Sequence, residues 1–181
     1  MKKIKLNRRL SITFSLLVFI CLSSCSKQNA DRSDGSEKYL TCKLNGKDYS
    51  FNTSVNANDK PAEDEVHFVV IGGWEKEDRI TGFGIDMVIP EGVKEKTYSV
   101  AGTSAPELKG QFYIQNYKDG KHMGTTVYEG GRSPGTQFTL TITSLTDWGV
   151  KGTFSGKLEL RDGNEFITVT EGKFSAPYNG N

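Results

Sequence analysis

Apolar and polar residues alternate with a period of two through most of this chain, and no window carries a 3.6-residue apolar stripe. A period of two puts successive side chains on opposite faces of an extended strand, so the pattern reads as β-structure. Leu40, Cys42 and Leu44 alternate with Thr41 and Lys43, and Asn45-Gly46 then supplies the pair that a tight hairpin needs. Tyr49 and Phe51 continue on the return strand. The run Val66–Ile71 is nearly all apolar and predicts a strand covered on both faces. Phe83, Ile85, Met87 and Ile89 alternate with Gly82, Gly84, Asp86 and Val88 until Pro90, and a short strand is expected over 97–100. Residues 111–117 and 123–128 flank Asp119-Gly120, a second hairpin signal.

The last third is the most regular. Phe138, Leu140 and Ile142 alternate with threonines, and a turn over 146–149 leads into Val150, Phe154, Leu158 and Leu160 on one face, with Gly152 and Gly156 between them. The opposite face, Lys151 to Arg161, is solvated. Asp162-Gly163 turns the chain into 166–174, where the apolar set changes parity and a bulge is expected near Glu171-Gly172. The expectation is an all-β domain, an antiparallel sandwich or flattened barrel of about nine to ten strands without substantial helix.

The beginning of the chain has a different character. Residues 1–9 are basic, Leu10–Leu22 is an apolar run, and small residues with a cysteine follow. That order is an export signal, and the run is short for a helix that spans a bilayer. Leu22-Ser23-Ser24-Cys25 resembles the bacterial lipobox. The resemblance implies cleavage before Cys25, a lipid thioether on its sulfur and acylation of the new N-terminus. Cleavage by the ordinary signal peptidase, with Ser24 and Ser26 as the small residues, is the alternative. Residues 26–36 hold no large apolar side chain and read as a tether with a typical reach of about 17–20 Å. The chain thus divides into a signal (1–24), a lipidated N-terminus and tether (25–36) and a single β domain (37–178).

Charge and cysteines sharpen this picture. The formal net charge is +1, from 23 basic and 22 acidic residues. Five of the basic residues and none of the acids lie in 1–24, so removing them leaves 18 against 22, a net charge of about −4 on the exported part. A mildly acidic domain has no counterion-release advantage on a phosphate backbone, which argues against nucleic acid as a partner. Of three cysteines, Cys21 leaves with the signal and Cys25 becomes the anchor. Cys42 remains with no intrachain partner, and its alternation with Leu40 and Leu44 predicts a packed, structural thiol.

Val150-Lys151-Gly152-Thr153-Phe154-Ser155-Gly156 with Val169-Thr170-Glu171-Gly172-Lys173-Phe174-Ser175 resembles the closing hairpin of small Bacteroidetes lipoproteins. The hairpin from Thr41 to Phe51, with Leu44-Asn45-Gly46-Lys47, is similar to that group's start. The resemblance implies an all-β envelope lipoprotein held to the outer membrane, with no activity, cofactor or catalytic residue to carry over. Acidic residues directly after the cysteine accompany surface display in the group. Here Ser26-Lys27-Gln28-Asn29 comes before Asp31, a departure from that pattern.

Reactive constellations are sparse. His67 and His122 lie beside no nucleophile-elbow motif and show no metal-type spacing, and both read as structural or surface residues. The acids at 63–65 and 75–78 flank strands as solvated loop ends, and the polar loop from Asn52 matches no calcium template. Asp86 interrupts an apolar strand and is expected on its solvent side. No catalytic residue, metal or cofactor is therefore expected. Aromatic residues at loop ends remain: Trp148, Trp74, Tyr113 and Tyr117 are candidates for stacking on a glycan or entering a pocket on an envelope protein, or else they cap the sandwich. A lipocalin-like barrel carrying an apolar ligand is the alternative; Gly82, Gly84, Gly152 and Gly156 are compatible with the interior room it needs and equally suit bends and bulges.

Overall fold

The structure, a computed structural model, describes residues 37–180. The lipidation site Cys25, the signal and the tether lie outside the described residues. Eleven antiparallel strands form one sheet: β1 (Tyr39–Leu44), β2 (Lys47–Ser50), β3 (Thr53–Asn56), β4 (Phe68–Trp74), β5 (Thr81–Val88), β6 (Thr97–Val100), β7 (Glu107–Lys118), β8 (Lys121–Gly130), β9 (Gln137–Leu145), β10 (Gly149–Leu160) and β11 (Phe166–Pro177). The all-β expectation holds.

Local chemistry accounts for the hairpins. Asn45 and Gly46 sit at φ 48° and 81°, the two positive angles of a two-residue turn whose twist matches the flanking strands. The Asn45 side chain also accepts from the Thr168 N–H at 2.8 Å, which ties this turn to β11. Asp119 and Gly120, at φ 50° and 74°, turn β7 into β8 in the same way. The β10–β11 ladder shifts register between Phe154 and Gly156, opposite Glu171-Gly172, where the bulge was expected.

The hydrogen-bonded path runs β2-β1-β11-β10-β8-β7-β5-β4-β3 and does not close into a barrel. It forks at β10, which pairs with β9 through Val150–Lys157 and with β8 only at Glu159 and Leu160. β6 in turn pairs with β9. The fork lays β6, β9, β10, β11, β1 and β2 across from β3, β4, β5, β7 and β8. Phenylalanines fill the space between. Phe154 from β10 meets Phe83 from β5 at 5.1 Å between ring centres, Phe138 from β9 at 6.1 Å and Phe174 from β11 at 6.4 Å. Burying rings of this size dominates the stability of a small sandwich.

Three expectations need correction. The strand count is eleven rather than nine to ten, because Thr53–Asn56 forms β3 inside what reads as a polar loop. Only Val55 of that strand is buried and Ser54 sits at φ 56°, so no alternation marks it. Second, the segment from Val66 is not covered on both faces. The strand is Phe68–Trp74, and Phe68 and Val70 are 45% and 44% exposed. β3 pairs only with its far end, at Gly72 and Trp74. Third, Gly152 and Gly156 do face inward, but a Cβ on Gly152 would lie 2.8 Å from the Phe174 ring and one on Gly156 2.6 Å from the Phe138 ring. Core rings occupy the room these glycines leave. Gly82 and Gly84 face outward.

Cys42 is buried as its alternation predicts, and burial pushes its thiol up to about 12. Asp86 lies on the solvent side, 3.3 Å from the Lys109 ammonium.

Candidate functional site

The outer face of β4, β5, β7 and β8 collects two of the four candidate aromatics. Trp74 ends β4 opposite Gly82 on β5, and Gly82 lies opposite Tyr113 on β7. Two strands would ordinarily keep these rings apart. Gly82 has no side chain, however, and the Tyr113 ring lies across it, in space that a Cβ there would occupy. Tyr113 thereby reaches Trp74 edge-to-face, with centroids 5.2 Å apart and planes at 79°. Such a pair holds both rings in place with about 0.5–1.5 kcal/mol beyond burial. Burial, and then the charge of Asp86, push the Tyr113 phenol above its ordinary range, so it stays a neutral hydroxyl.

One register step along, about 6–7 Å by strand geometry, Gly72, Gly84, Gln111 and Glu129 form a row across the four strands. The outer side of Gly72 and Gly84 is bare backbone. Gln111 Nε2 donates to the Glu129 carboxylate at 3.3 Å, and Arg161 donates to the same oxygen at 2.9 Å. The Arg161 hydrogen bond holds the Glu129 carboxyl below its usual range, against the opposing effect of burial, with Gln111 helping. Glu159 on β10 lies opposite Glu129. The next row is Val70, Asp86 and Lys109, and the one after it Phe68, Val88 and Glu107. The face thus runs from an apolar edge, over an ion pair and a side-chain-free floor, to an aromatic pair.

Tyr117 sits on the same side of β7 as Tyr113 by alternation, beyond the last residue paired with β5, Ile114. It is 54% exposed and packs against His122 at 5.4 Å. Between the two tyrosines, Gln115 accepts hydrogen bonds from Thr125 at 2.8 Å and shares one with His122 at 2.7 Å. Tyr117 therefore extends the strip onto the β7–β8 overhang without touching the Trp74–Tyr113 pair.

Trp148 is elsewhere. It lies in the β9–β10 turn, half-buried, with the Lys151 ammonium 5.6 Å from its ring centre. Its carbonyl accepts the Tyr178 N–H at 2.9 Å. The ladders of that hairpin lead to β11 and β6, so the structure does not bring Trp148 together with Trp74 and Tyr113. His67 lies just before β4, with Nδ1 3.1 Å from the Pro90 carbonyl oxygen and Nε2 3.6 Å from the Glu63 carboxylate. Among the described residues, no group of three His, Cys, Asp or Glu side chains is arranged to hold a metal.

A concavity of about 560 Å³ lies at the loop end and is lined by residues including Lys60, Glu63, Glu65, Lys94 and Tyr178. It contains none of the four candidate aromatics and is bordered by exposed charged loops. The sheet face, with fixed rings and paired polar groups, is the stronger candidate for recognition. Sequence reasoning identified Trp74 and Tyr113 but missed Gly72, Gly84, Gln111, Lys109 and Glu129 as members of the face. Asp86 interrupting an apolar strand and the Gly72-Gly73 pair were the signals available.

No protein-family model, curated protein or solved structure matches this chain.

Proposed function

We propose that this protein is a cell-envelope lipoprotein, anchored through lipid on Cys25, whose β-domain binds a glycan on the outer face of β4, β5, β7 and β8. The observation that carries the reading is the Trp74–Tyr113 pair, fixed at 5.2 Å beside a floor without side chains and flanked by Gln111, Asp86 and Lys109. Sugar rings present apolar C–H faces to aromatic rings and hydroxyl edges to planar polar side chains, and this face offers both. The phenylalanine-filled core favours surface recognition over an apolar ligand carried inside. Glu129, held as its ion by Arg161, is the opposite of a general acid, which fits binding better than glycoside hydrolysis.

Anchoring rests on the basic 1–9 segment, the apolar run and the lipobox-like Leu22–Cys25. Two or more acyl chains make such attachment stable where one is marginal. Both halves have direct tests. Cys25→Ser is expected to move the protein from the membrane fraction to the soluble fraction, and continued membrane attachment would refute the anchor. Trp74→Ala is expected to weaken binding to an immobilised glycan panel without unfolding the domain, and unchanged binding would remove the aromatic pair from the site.

A further inference from the structure

Most glycines described in this fold have a structural reason to be glycine. Each either sits at positive φ or lies where a Cβ would press on a neighbour closer than 3.0 Å. Gly72 and Gly84 are the exceptions. Neither lies in the left-handed region, and a Cβ would meet nothing nearer than 3.9 Å at Gly72 or 3.7 Å at Gly84. They are direct cross-strand partners, and both are on the outer face beside the Trp74–Tyr113 pair. Glycine in a strand interior weakens it, and one use for the loss is close approach of a ligand to the backbone. The fold itself takes nothing from these two.

We infer that Gly72 and Gly84 are specificity-determining residues, the floor of a seat for a neutral oligosaccharide that lies between the Trp74–Tyr113 pair and the Asp86–Lys109 pair. The inference rests on the glycan reading and adds which residues select the ligand and what its charge is. A flat seat with rings on one flank and polar groups on the other fits a thin object with an apolar face and a hydroxyl-bearing edge. The cations bordering it are already paired. Asp86 is 3.3 Å from Lys109, and Glu129 is 2.9 Å from Arg161. An anion would have to displace a carboxylate from its cation and would meet that carboxylate's repulsion. A hydroxyl does neither, because it donates to the carboxylate and accepts from the cation at once. Cations already paired with carboxylates therefore select against an anion and for a neutral sugar.

The test uses the full-length lipoprotein in detergent micelles. Binding is measured to maltohexaose, mannohexaose, laminarihexaose and chitohexaose, and to heparin and polygalacturonate, for the wild type, Trp74→Ala and Gly84→Val. Gly72→Val serves in place of Gly84→Val if the latter does not fold. The expected result is wild-type binding to at least one neutral oligosaccharide, weakened about tenfold or more by filling the floor, with a melting temperature that does not fall. If Trp74→Ala abolishes binding while Gly84→Val and Gly72→Val bind as the wild type does, the floor is overturned and the glycan reading stands. Wild-type binding to heparin or polygalacturonate alone overturns the neutral ligand. Binding to none of the six overturns the inference and the glycan reading together.

Discussion

Gly72 and Gly73 are neighbours on β4, and the structure assigns them opposite responses to the same substitution. In Gly72→Ala the new methyl points outward, with the Phe83 carbonyl oxygen its nearest contact at 3.9 Å. Nothing in the folded state opposes it, and the unfolded chain loses freedom, so stability should rise by about 0.4–1 kcal/mol. In Gly73→Ala the methyl points into the core, where it collides with the Phe51 carbonyl oxygen and lies 3.1 Å from Val55 Cγ2 and 3.3 Å from Leu40 Cδ2. A side-chain end can rotate away, whereas a backbone carbonyl moves only with its strand. Phe51 is further pinned by its N–H, which donates to the Leu40 carbonyl at 2.8 Å. Overpacking of this kind costs about 1–3 kcal/mol, and disturbing that hydrogen bond adds about 0.5–1.5 kcal/mol. Gly73→Ala should therefore destabilise by about 1.5–4.5 kcal/mol. Urea denaturation followed by tryptophan fluorescence measures both variants, with unchanged slopes showing that the same surface unfolds. Equal shifts, or a neutral Gly73→Ala, would refute the packing of β4 against β1 and the Phe51 link.

Two further outcomes follow from individual side chains. Cys42 is 4% exposed and burial pushes its thiol up to about 12, so at pH 8 it stays a protonated, unreactive thiol. Ellman's reagent should react only after denaturant is added, and prompt reaction in the native state would contradict its burial. Glu129 has its carboxyl lowered by Arg161, so the stability from this pair is present above the ordinary carboxylate range and is lost as pH falls through the folded value. Glu129→Gln should cost about 0.2–1 kcal/mol near pH 7, as for a half-exposed pair, and the gap to wild type should close in acid. A gap that widens on acidification would reverse the assigned sign.

Much of the fold was legible because the signals were local. Alternation marked Phe83, Ile85 and Met87 as inward-facing, and Asn45-Gly46 and Asp119-Gly120 marked their turns, since side-chain direction and positive φ are decided within a few residues. β3 was not legible, because Val55 alone of its residues is buried. Exposure of Phe68 and Val70 was not legible either. An apolar run carries the same letters whether its outer side is covered or left open where a short neighbouring strand stops.

The candidate site was legible only as a set of residue types. Tyr113 meets Trp74 because both lie opposite Gly82, a consequence of pairing that no window of sequence contains. Trp148 has the same ring as Trp74 in a similar loop-end setting, and only the strand order separates them. Gly72 and Gly84 stand out once the space around every other described glycine is known.

The chain has two tryptophans, Trp74 and Trp148, so a 5-fluorotryptophan-labelled protein gives one fluorine resonance for each. Alanine substitution of either residue assigns them. Titrating the neutral oligosaccharides into the labelled protein tests the ligand face directly. The account predicts that the Trp74 resonance shifts with saturation and the Trp148 resonance stays in place. A shift confined to Trp148, or neither resonance moving under any of the sugars, would contradict it.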